Sequence, residues 1–596
     1  MAPEHEQRGS RIRGIREVGQ RALMVECRGL ADVMAYHQRL SAEPLDGQVD
    51  VVAAAATILL VFDARGAARR VAAHLDELVV GDFSPRDRQV ITVDVVYDGE
   101  DLSSVAESLG VSPEALVEWH AEQEWTGAFA GFAPGFTYCV PEDQARSVPR
   151  RDSPRTTVPR GSVGLAGEFS AVYPQESPGG WQLIGRTTAT MWDLSRDSPA
   201  LIGPGDTVRY VPVRAESVLS SSGDDVAAAE PQPSPHQPAD SSPQDSSPQD
   251  SRPADLEPAD PAVTVTAVGV QALVQDRGRS GLSDLGVSCS GAVDDRAARQ
   301  ANRLLGNSAD AAVLEVLCGG LQLRAERTVT LVVTGAETEL TVHAEDQSQR
   351  PVALRMPFVL TAGETLALGP PSRGIRSVLG ARGGIGAQPV LGSRATDTLS
   401  GVGPEALRVD DVLALDRQSL DAVAASPEPS TLPETEDGTT VLRFTLGPRD
   451  QWFDDDEVAR LSDQLWAVTQ DSNRVGLRLE PDPDDPDARP LKRSHQEELP
   501  SEGMVRGALQ VPPAGSPVLF LNDHPVTGGY PVIGVVIDAD LSAAAQLGPG
   551  ERIRFRALER ETADGDSAAP ASFGERGSPA SDGFSAPQDS RRKGRP

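Results

Sequence analysis

Lysine is nearly missing from this sequence: among 55 basic residues only Lys492 and Lys593 are lysines, and neither is followed by Ser or Thr. A phosphate loop of the GxxxxGK[ST] kind is therefore excluded. No Lys stands between two Met residues, so the chain carries no biotin-attachment segment of its own. HExxH is absent and the 8 histidines are scattered singly, which argues against a metal site in this chain; no metal-ligating residue is assigned. The four cysteines, Cys27, Cys139, Cys289 and Cys318, lie too far apart for a metal knuckle or a CxxC pair, so buried or free thiols in a reducing compartment are expected. Positive charge is in deficit, 55 basic against 88 acidic residues for a net charge of −33, a poor surface for duplex nucleic acid or anionic membrane. No apolar run approaches the roughly 20 residues of a membrane helix. The longest, Val51 to Phe62, reads as one buried strand. Met1 to Arg16 is charged and has no apolar leader core, so a cytoplasmic protein is expected.

Aromatics are only 4% of residues, whereas Gly (56) and Pro (48) are abundant, which favours many turns between short strands over a helical bundle. The length of 596 residues gives about four domains at roughly 150 residues each. Residues 15–85 alternate strand-like and helix-like stretches and read as a small α/β domain; residues 86–214 read as a β domain. Two helices are predicted within the latter, Leu102 to Leu109 and one that starts at Ser112-Pro113-Glu114. Residues 215–262 are Ser, Pro, Asp, Gln and Ala, including a tandem SSPQD, and predict a disordered linker between two folded halves. Strand patterns resume in a block at 263–423, interrupted by a helix in which Ala297, Ala301, Leu304 and Leu305 share a face and Gly306-Asn307 supply the stop. A further β block covers 440–560, and residues 561–596 have the composition of a disordered tail.

An internal repeat connects the two β blocks. Asp152-Ser153-Pro154-Arg155, Arg160-Gly161-Ser162-Val163, Gly179-Gly180-Trp181 through Gly185, and Gly203-Pro204-Gly205-Asp206 recur in order as Asp471-Ser472-Asn473-Arg474, Arg506-Gly507-Ala508-Leu509, Gly528-Gly529-Tyr530 through Gly534, and Gly548-Pro549-Gly550-Glu551. Four blocks in one order predict duplication of a single β fold, with an acidic insert at 480–490 in the second copy.

The chemistry-bearing residues are arginines and carboxylates beside Gly turns. Arg forks grip carboxylate or phosphate, and successive N–H groups in Gly turns form anion nests. Arg151, Arg155 and Arg186, with Gly179 and Gly180, are candidate anion ligands; surface charge is the competing reading of each Arg. An exposed anion-binding Arg155 would contribute little to folding. Glu176 is a candidate base or metal ligand. Ser290-Gly291 leads into Asp294, which reads either as a helix N-cap or as part of a turn that holds an anion or a reacting carbonyl; as a catalytic residue it would be a base or metal ligand. Gly528 and Gly529 repeat the first Gly turn, and His120 is read either as packing or as a general base.

Gly131 to Tyr138 (GFAPGFTY), Val148 to Ala166 (VPRRDSPRTTVPRGSVGLA) and Tyr173 to Thr187 (YPQESPGGWQLIGRT) resemble the B subunit of prokaryotic ATP-dependent 5-oxoprolinase, also called allophanate hydrolase subunit 1. Gln275 to Arg279 (QDRGR), Ser288 to Asp294 (SCSGAVD), Arg382 to Ile385, Leu391 to Arg394, Ser501-Glu502-Gly503 and Gly528 to Pro531 resemble the C subunit of that enzyme. The resemblance, over about residues 15–214 and 263–560, is that of a B–C fusion. It implies a mainly β fold of duplicated cyclophilin-like barrels after the N-terminal α/β unit, an ATP-dependent opening of a lactam, ATP with Mg²⁺ as cofactor, a separate partner protein like the 5-oxoprolinase A component, and a small-molecule substrate. A higher oligomer is left open. Two other functions also stay open, a biotin-dependent carboxyl transfer or urea-related reaction with the carrier in trans, and a kinase-inhibitor-like binding role without turnover.

Overall fold

The computed structural model describes residues 11–83, 89–143, 145–151, 153, 155–214, 261–416, 421–495 and 497–558. The linker expected at 215–262 lies outside the described residues except for Pro261 and Ala262, which open a strand, and so does the tail expected at 561–596.

The architecture is mainly β with an α/β unit at its N-terminal end. Strands Ile12–Val18, Ala22–Cys27, Thr57–Phe62 and Gln48–Ala53 lie in that order in one antiparallel sheet, accompanied by helices Leu30–Ala42 and Arg65–Ala72. Leu23, Val25, Ile58 and Leu60 face the helices and join Val33, Tyr36 and Leu40 in a core that continues into Phe129, Phe136 and Trp181. Their alternate neighbours Met24, Val52 and Leu59 face the other way and pack on Met504, Phe520 and Val526. Both faces of the sheet are thus covered, so apolar residues do not alternate along its strands. This is why Val51 to Phe62 reads as one strand, whereas the chain reverses at Ala54–Ala56 with no Gly or Pro to mark the turn.

The two β blocks have one topology. Around the first, the strands run Val90–Val95, Thr207–Pro212, Trp125–Ala130, Thr137–Pro141, Phe169–Val172, Ser162–Ala166 and Gln182–Arg186, and a bridge between Val96 and Arg186 brings the outer two together. The second is a closed barrel of Thr439–Leu446, Arg552–Ala557, Trp466–Val468, Gly476–Pro481, Val518–Phe520, Ala508–Gln510 and Val532–Val536. In each, the first strand is parallel to the last of the block. Buried Trp125 and Trp466 occupy equivalent strands, and each indole N–H donates to a carbonyl five residues earlier at 3.0 Å, His120 O and Leu461 O. Three of the four sequence blocks fall on equivalent places. The fourth does not: Arg155 starts a strand beyond Thr137–Pro141, whereas Arg474 lies in the turn before Gly476–Pro481, the counterpart of the Gly131–Phe136 loop.

Between the blocks, a ten-stranded sheet spans Pro261–Ala267 to Val412–Leu415, built around the long antiparallel strands Val329–His343 and Thr365–Ala381. Helix Asp295–Leu305 lies against it through Ala297, Ala301, Leu304 and Leu305, and Gly306 ends it with φ of 64°. Ser112 caps helix Pro113–Glu122 through Ala115 N at 3.2 Å, as its sequence predicts. Among the described residues, no helix is long and apolar enough to cross a membrane.

Closure of both barrels depends on a glycine. Gly99 N donates to Ile184 O at 3.2 Å and Gly447 N to Ile533 O at 2.9 Å. A Cβ would meet backbone at 2.3 Å at Gly99 and at 2.2 Å at Gly447, contacts that no side-chain movement relieves. Gly99→Ala and Gly447→Ala should each lower unfolding stability in urea by about 3 kcal/mol. Gly81→Ala, with nothing within 4 Å, should stay within about 0.5 kcal/mol of the parent.

Candidate functional site

In the first barrel, Arg155 opens a strand paired with Ser177–Gly179, and Gly179 stands opposite Arg155. Its guanidinium reaches both oxygens of Asp101 at 2.8 Å and Glu100 at 3.1 Å. Arg151 donates to Asp101 at 2.8 Å and its backbone N–H to Gly180 O at 2.9 Å. Asp101, itself buried, also accepts Leu183 N at 2.7 Å. The structure thus brings Arg151, Arg155, Gly179 and Gly180 together, but around a carboxylate of the chain itself. Arg155 is not the exposed clamp that the sequence suggests: its side chain is 15% exposed. Arg186 sits apart, in an exposed pair with Asp98 at 2.9 Å, and Glu176 is exposed just before strand Ser177–Gly179. Asp101 escapes a sequence reading because Asp101-Leu102 looks like an ordinary helix start.

The second barrel repeats the arrangement with its charges exchanged. Arg449 follows Gly447 by two residues, as Asp101 follows Gly99, and each bonds the facing strand through its N–H, to Val532 O at 3.2 Å and Leu183 O at 3.0 Å. Across from Arg449 is Glu502, on a two-stranded sheet in which Gly528 stands opposite it, as Gly179 stands opposite Arg155. Arg449 Nε donates to Glu502 at 2.9 Å, and Nη1 bonds Glu26 of the N-terminal sheet. Burial pushes the Glu502 carboxyl up even beside this Arg. Gly529 lies against Arg150, whose Nη2 donates to Ser501 Oγ at 3.4 Å, so the two strand pairs meet at a seam.

Ser290 and Gly291 lie elsewhere, in a turn between the ten-stranded sheet and the second barrel. Ser290 holds φ of 52°, which costs about 1–3 kcal/mol for a residue with a Cβ. Its Oγ donates to Asp523 Oδ1 at 2.7 Å. Arg474 binds the same carboxylate at 2.9 Å, Glu315 at 2.5 Å and Gly291 O at 2.8 Å. Burial alone would raise Asp523, but Arg474 holds its carboxyl below the usual range. Asn522 Nδ2 donates to the carbonyls of Ser290, Gly291 and Ala292 at 3.0–3.1 Å.

Asp294 caps the following helix through Ala297 N at 3.0 Å, and its second oxygen accepts Gln546 Nε2 at 2.6 Å. Both oxygens have structural partners, and burial raises its pKa. The general-base reading of His120 is corrected outright. The ring is fully buried, bonded to Tyr97 OH at 2.7 Å and Ser170 Oγ at 2.8 Å, and lies 4.4 Å from the Tyr210 ring. Burial lowers its pKa to about 3, so it is a neutral core residue. Two open clefts, one beside Glu118, Trp119 and Arg146 and one beside Arg478, the acidic insert and Arg552, contain none of the candidate site residues read from sequence. Among the described residues no group of three or more His, Cys, Asp or Glu is placed to hold a metal.

Comparison with known proteins resolves the two halves. Residues 13–202 match the family described as carboxyltransferase domain, subdomain C and D, and residues 285–557 match carboxyltransferase domain, subdomain A and B. The chain is 34% identical over 294 residues to the 5-oxoprolinase C subunit of Escherichia coli, covering 49% of this chain and 89% of that protein. It is 45% identical over 129 residues to the 5-oxoprolinase B subunit of Escherichia coli O157:H7, covering 21% of this chain and 59% of that protein. The crystal structure of TTHA0988 is similar over 90% of this chain and 99% of its own, with a TM-score of 0.71 and 29% identity. Both 5-oxoprolinase relatives are components of an enzyme.

The ion pairs separate structural from exposed arginines. Arg155→Ala should cost about 2 kcal/mol or more of stability, because it strips a buried carboxylate of a partner. Arg186→Ala should cost under about 0.5 kcal/mol in the same denaturation series. Acid sensitivity follows from His120. Its folded pKa lies below the ordinary 6.5, so the unfolded chain takes up a proton that the folded chain refuses, and stability is lost as pH falls from 6.5 toward 3. Between pH 6.5 and 5, a His120→Gln variant, weaker at pH 7, should show a shallower decline in its urea midpoint.

Proposed function

Because the chain belongs to the carboxyltransferase-domain family that includes the B and C subunits of 5-oxoprolinase, and joins a likeness to each in one polypeptide, we propose that it is the B–C component of an ATP-dependent 5-oxoprolinase. In this reading it works with a separate A-like protein to open the lactam of 5-oxoproline to glutamate. The supporting observation is the way the two halves interlock. Phe132 N donates to Thr527 Oγ1 at 3.2 Å, Ser283 Oγ to Asp50 at 2.6 Å, and Arg449 bonds Glu26. A B-like and a C-like half that close on each other in this way behave as one component of a larger enzyme.

A lactam amide is a poor electrophile with a poor leaving group, so its opening needs activation and a site from which water is excluded until it attacks. ATP with Mg²⁺ is the expected source of that activation. The residues that the sequence suggests for phosphate do not fit it here: Arg151 and Arg155 are matched by Asp101, and Arg186 by Asp98. What this chain's residues supply is fixed donors at the junction of the halves, suited to hold and orient a small anionic substrate.

The family description also favours a second reading, transfer of a carboxyl group from a biotin carrier supplied in trans. Reconstitution discriminates the two. The purified chain alone should show negligible 5-oxoproline hydrolysis, and 5-oxoproline-dependent ADP release should appear when the candidate A component is added. Full hydrolysis by the isolated chain, or no stimulation by the A component, would overturn the proposal; biotin-dependent carboxyl transfer with a biotin carboxylase and carrier would establish the alternative.

A further inference from the structure

The turn Ser288–Gly291 holds donors that no described part of the fold uses. Among the described residues, the backbone N–H groups of Cys289, Ser290 and Gly291 have no hydrogen-bond partner, although Ser290 and Gly291 are held at φ of 52° and 91°. Arg279 runs alongside, its own N–H bonded to Cys289 O at 2.7 Å. Its guanidinium is buried, Arg279 being 4% exposed, and gives one nitrogen, Nη2, to Ala395 O, while Nε and Nη1 are buried without a partner among the described residues. Arg506, half-buried, has no described carboxylate within ion-pair distance and makes a single bond of 3.3 Å to Asn522 Oδ1. Asn522 in turn donates to the Ser290 and Gly291 carbonyls, which places Arg506 next to the turn, and Cys289 is exposed. A buried guanidinium with two idle donors beside three idle amides is a costly arrangement for a fold to keep unless something binds there.

We infer that Arg279, Arg506 and the Cys289–Gly291 amides form a binding site for a small carboxylate, entered past the Cys289 side chain. Two Arg forks and a row of amides match a planar carboxylate. Five residues before Ser288, Ser283 Oγ donates to the Asp50 carboxylate of the N-terminal sheet at 2.6 Å, so the site lies near where the B-like half meets the C-like half. That the carboxylate is 5-oxoproline rests on the function proposed above; the site itself does not.

Cys289 reports on occupancy, with exposed Cys318 as an internal reference and Cys27 and Cys139 buried. The full chain is alkylated with N-ethylmaleimide in the presence of 5-oxoproline, glutarate or 2-pyrrolidinone, and each cysteine is followed by mass spectrometry. At several times the dissociation constant, 5-oxoproline or glutarate should slow Cys289 about fivefold and leave Cys318 unchanged, whereas 2-pyrrolidinone, which lacks the carboxylate, should protect neither. Arg506→Gln should abolish the protection with the fold intact by circular dichroism. If that variant does not fold, Arg506→Lys, which keeps the charge and loses the fork, should weaken it. An unchanged Cys289 rate with both carboxylates, equal protection by 2-pyrrolidinone, or protection undiminished by either Arg506 change would overturn the site. Protection by glutarate but not by 5-oxoproline would support the site and count against the 5-oxoprolinase reading. ADP release with the A component but no protection would do the reverse.

Discussion

Arg474 is 3% exposed, so its charge has to be answered from within the protein, and the answer comes from three separate pieces of chain. Glu315 belongs to the ten-stranded sheet, Asp523 to the second barrel and Gly291 O to the turn that precedes helix Asp295–Leu305. Removing any one would leave a buried charge or a buried carbonyl short of a partner. The guanidinium therefore sets where sheet and barrel meet. Arg376 lies 3.6 Å from the same Glu315 and donates to Ala545 O of the barrel, which extends the network to a second crossing. Ser290 keeps its strained backbone because Asp523, pinned by Arg474, holds its hydroxyl, so the turn with the idle amides is a product of this one buried cation.

The N-terminal α/β unit plays the corresponding part between the halves. Its helices and one sheet face share a core with the first barrel, and its other face is covered by Met504, Phe520 and Val526 of the second. Burial of both faces is worth roughly 25 cal/mol per Å² of apolar surface, an attraction without direction. Direction comes from polar contacts at its rim, Glu26 with Arg449 and Asp50 with Ser283.

Much of this is legible in the sequence, and the failures have physical causes. Turn glycines recur in both copies at fixed places, with positive φ at Gly161 and Gly507 and at Gly205 and Gly550, which is why the Gly161, Gly179 and Gly203 blocks point to a duplication that the strand order bears out. Arg155 and Arg474 align only on a short charged motif, and charged side chains are free to change partners wherever the backbone permits. Asp101 and Asp523 are silent in sequence because a carboxylate's role depends on what lies across a barrel, a distance of 54 residues for Arg155 and 49 for Arg474. His120 is ambiguous in sequence because Tyr97 and Ser170, which bond its two nitrogens, lie 23 and 50 residues away. The Arg279 motif is visible, but its unused donors are a property of packing alone.

The exchanged ion pairs bear on how such a chain avoids misassembly. Two barrels of one topology on one polypeptide can trade equivalent pieces while they fold, and misassembly of this kind is a characteristic failure of repeated domains. Here a swapped strand pair is penalised. Arg155 placed on the second barrel would meet buried Arg449, and Glu502 placed on the first would meet buried Asp101, in each case a like charge against a buried one. Each barrel favours its own strand pair, so the duplication carries its own address.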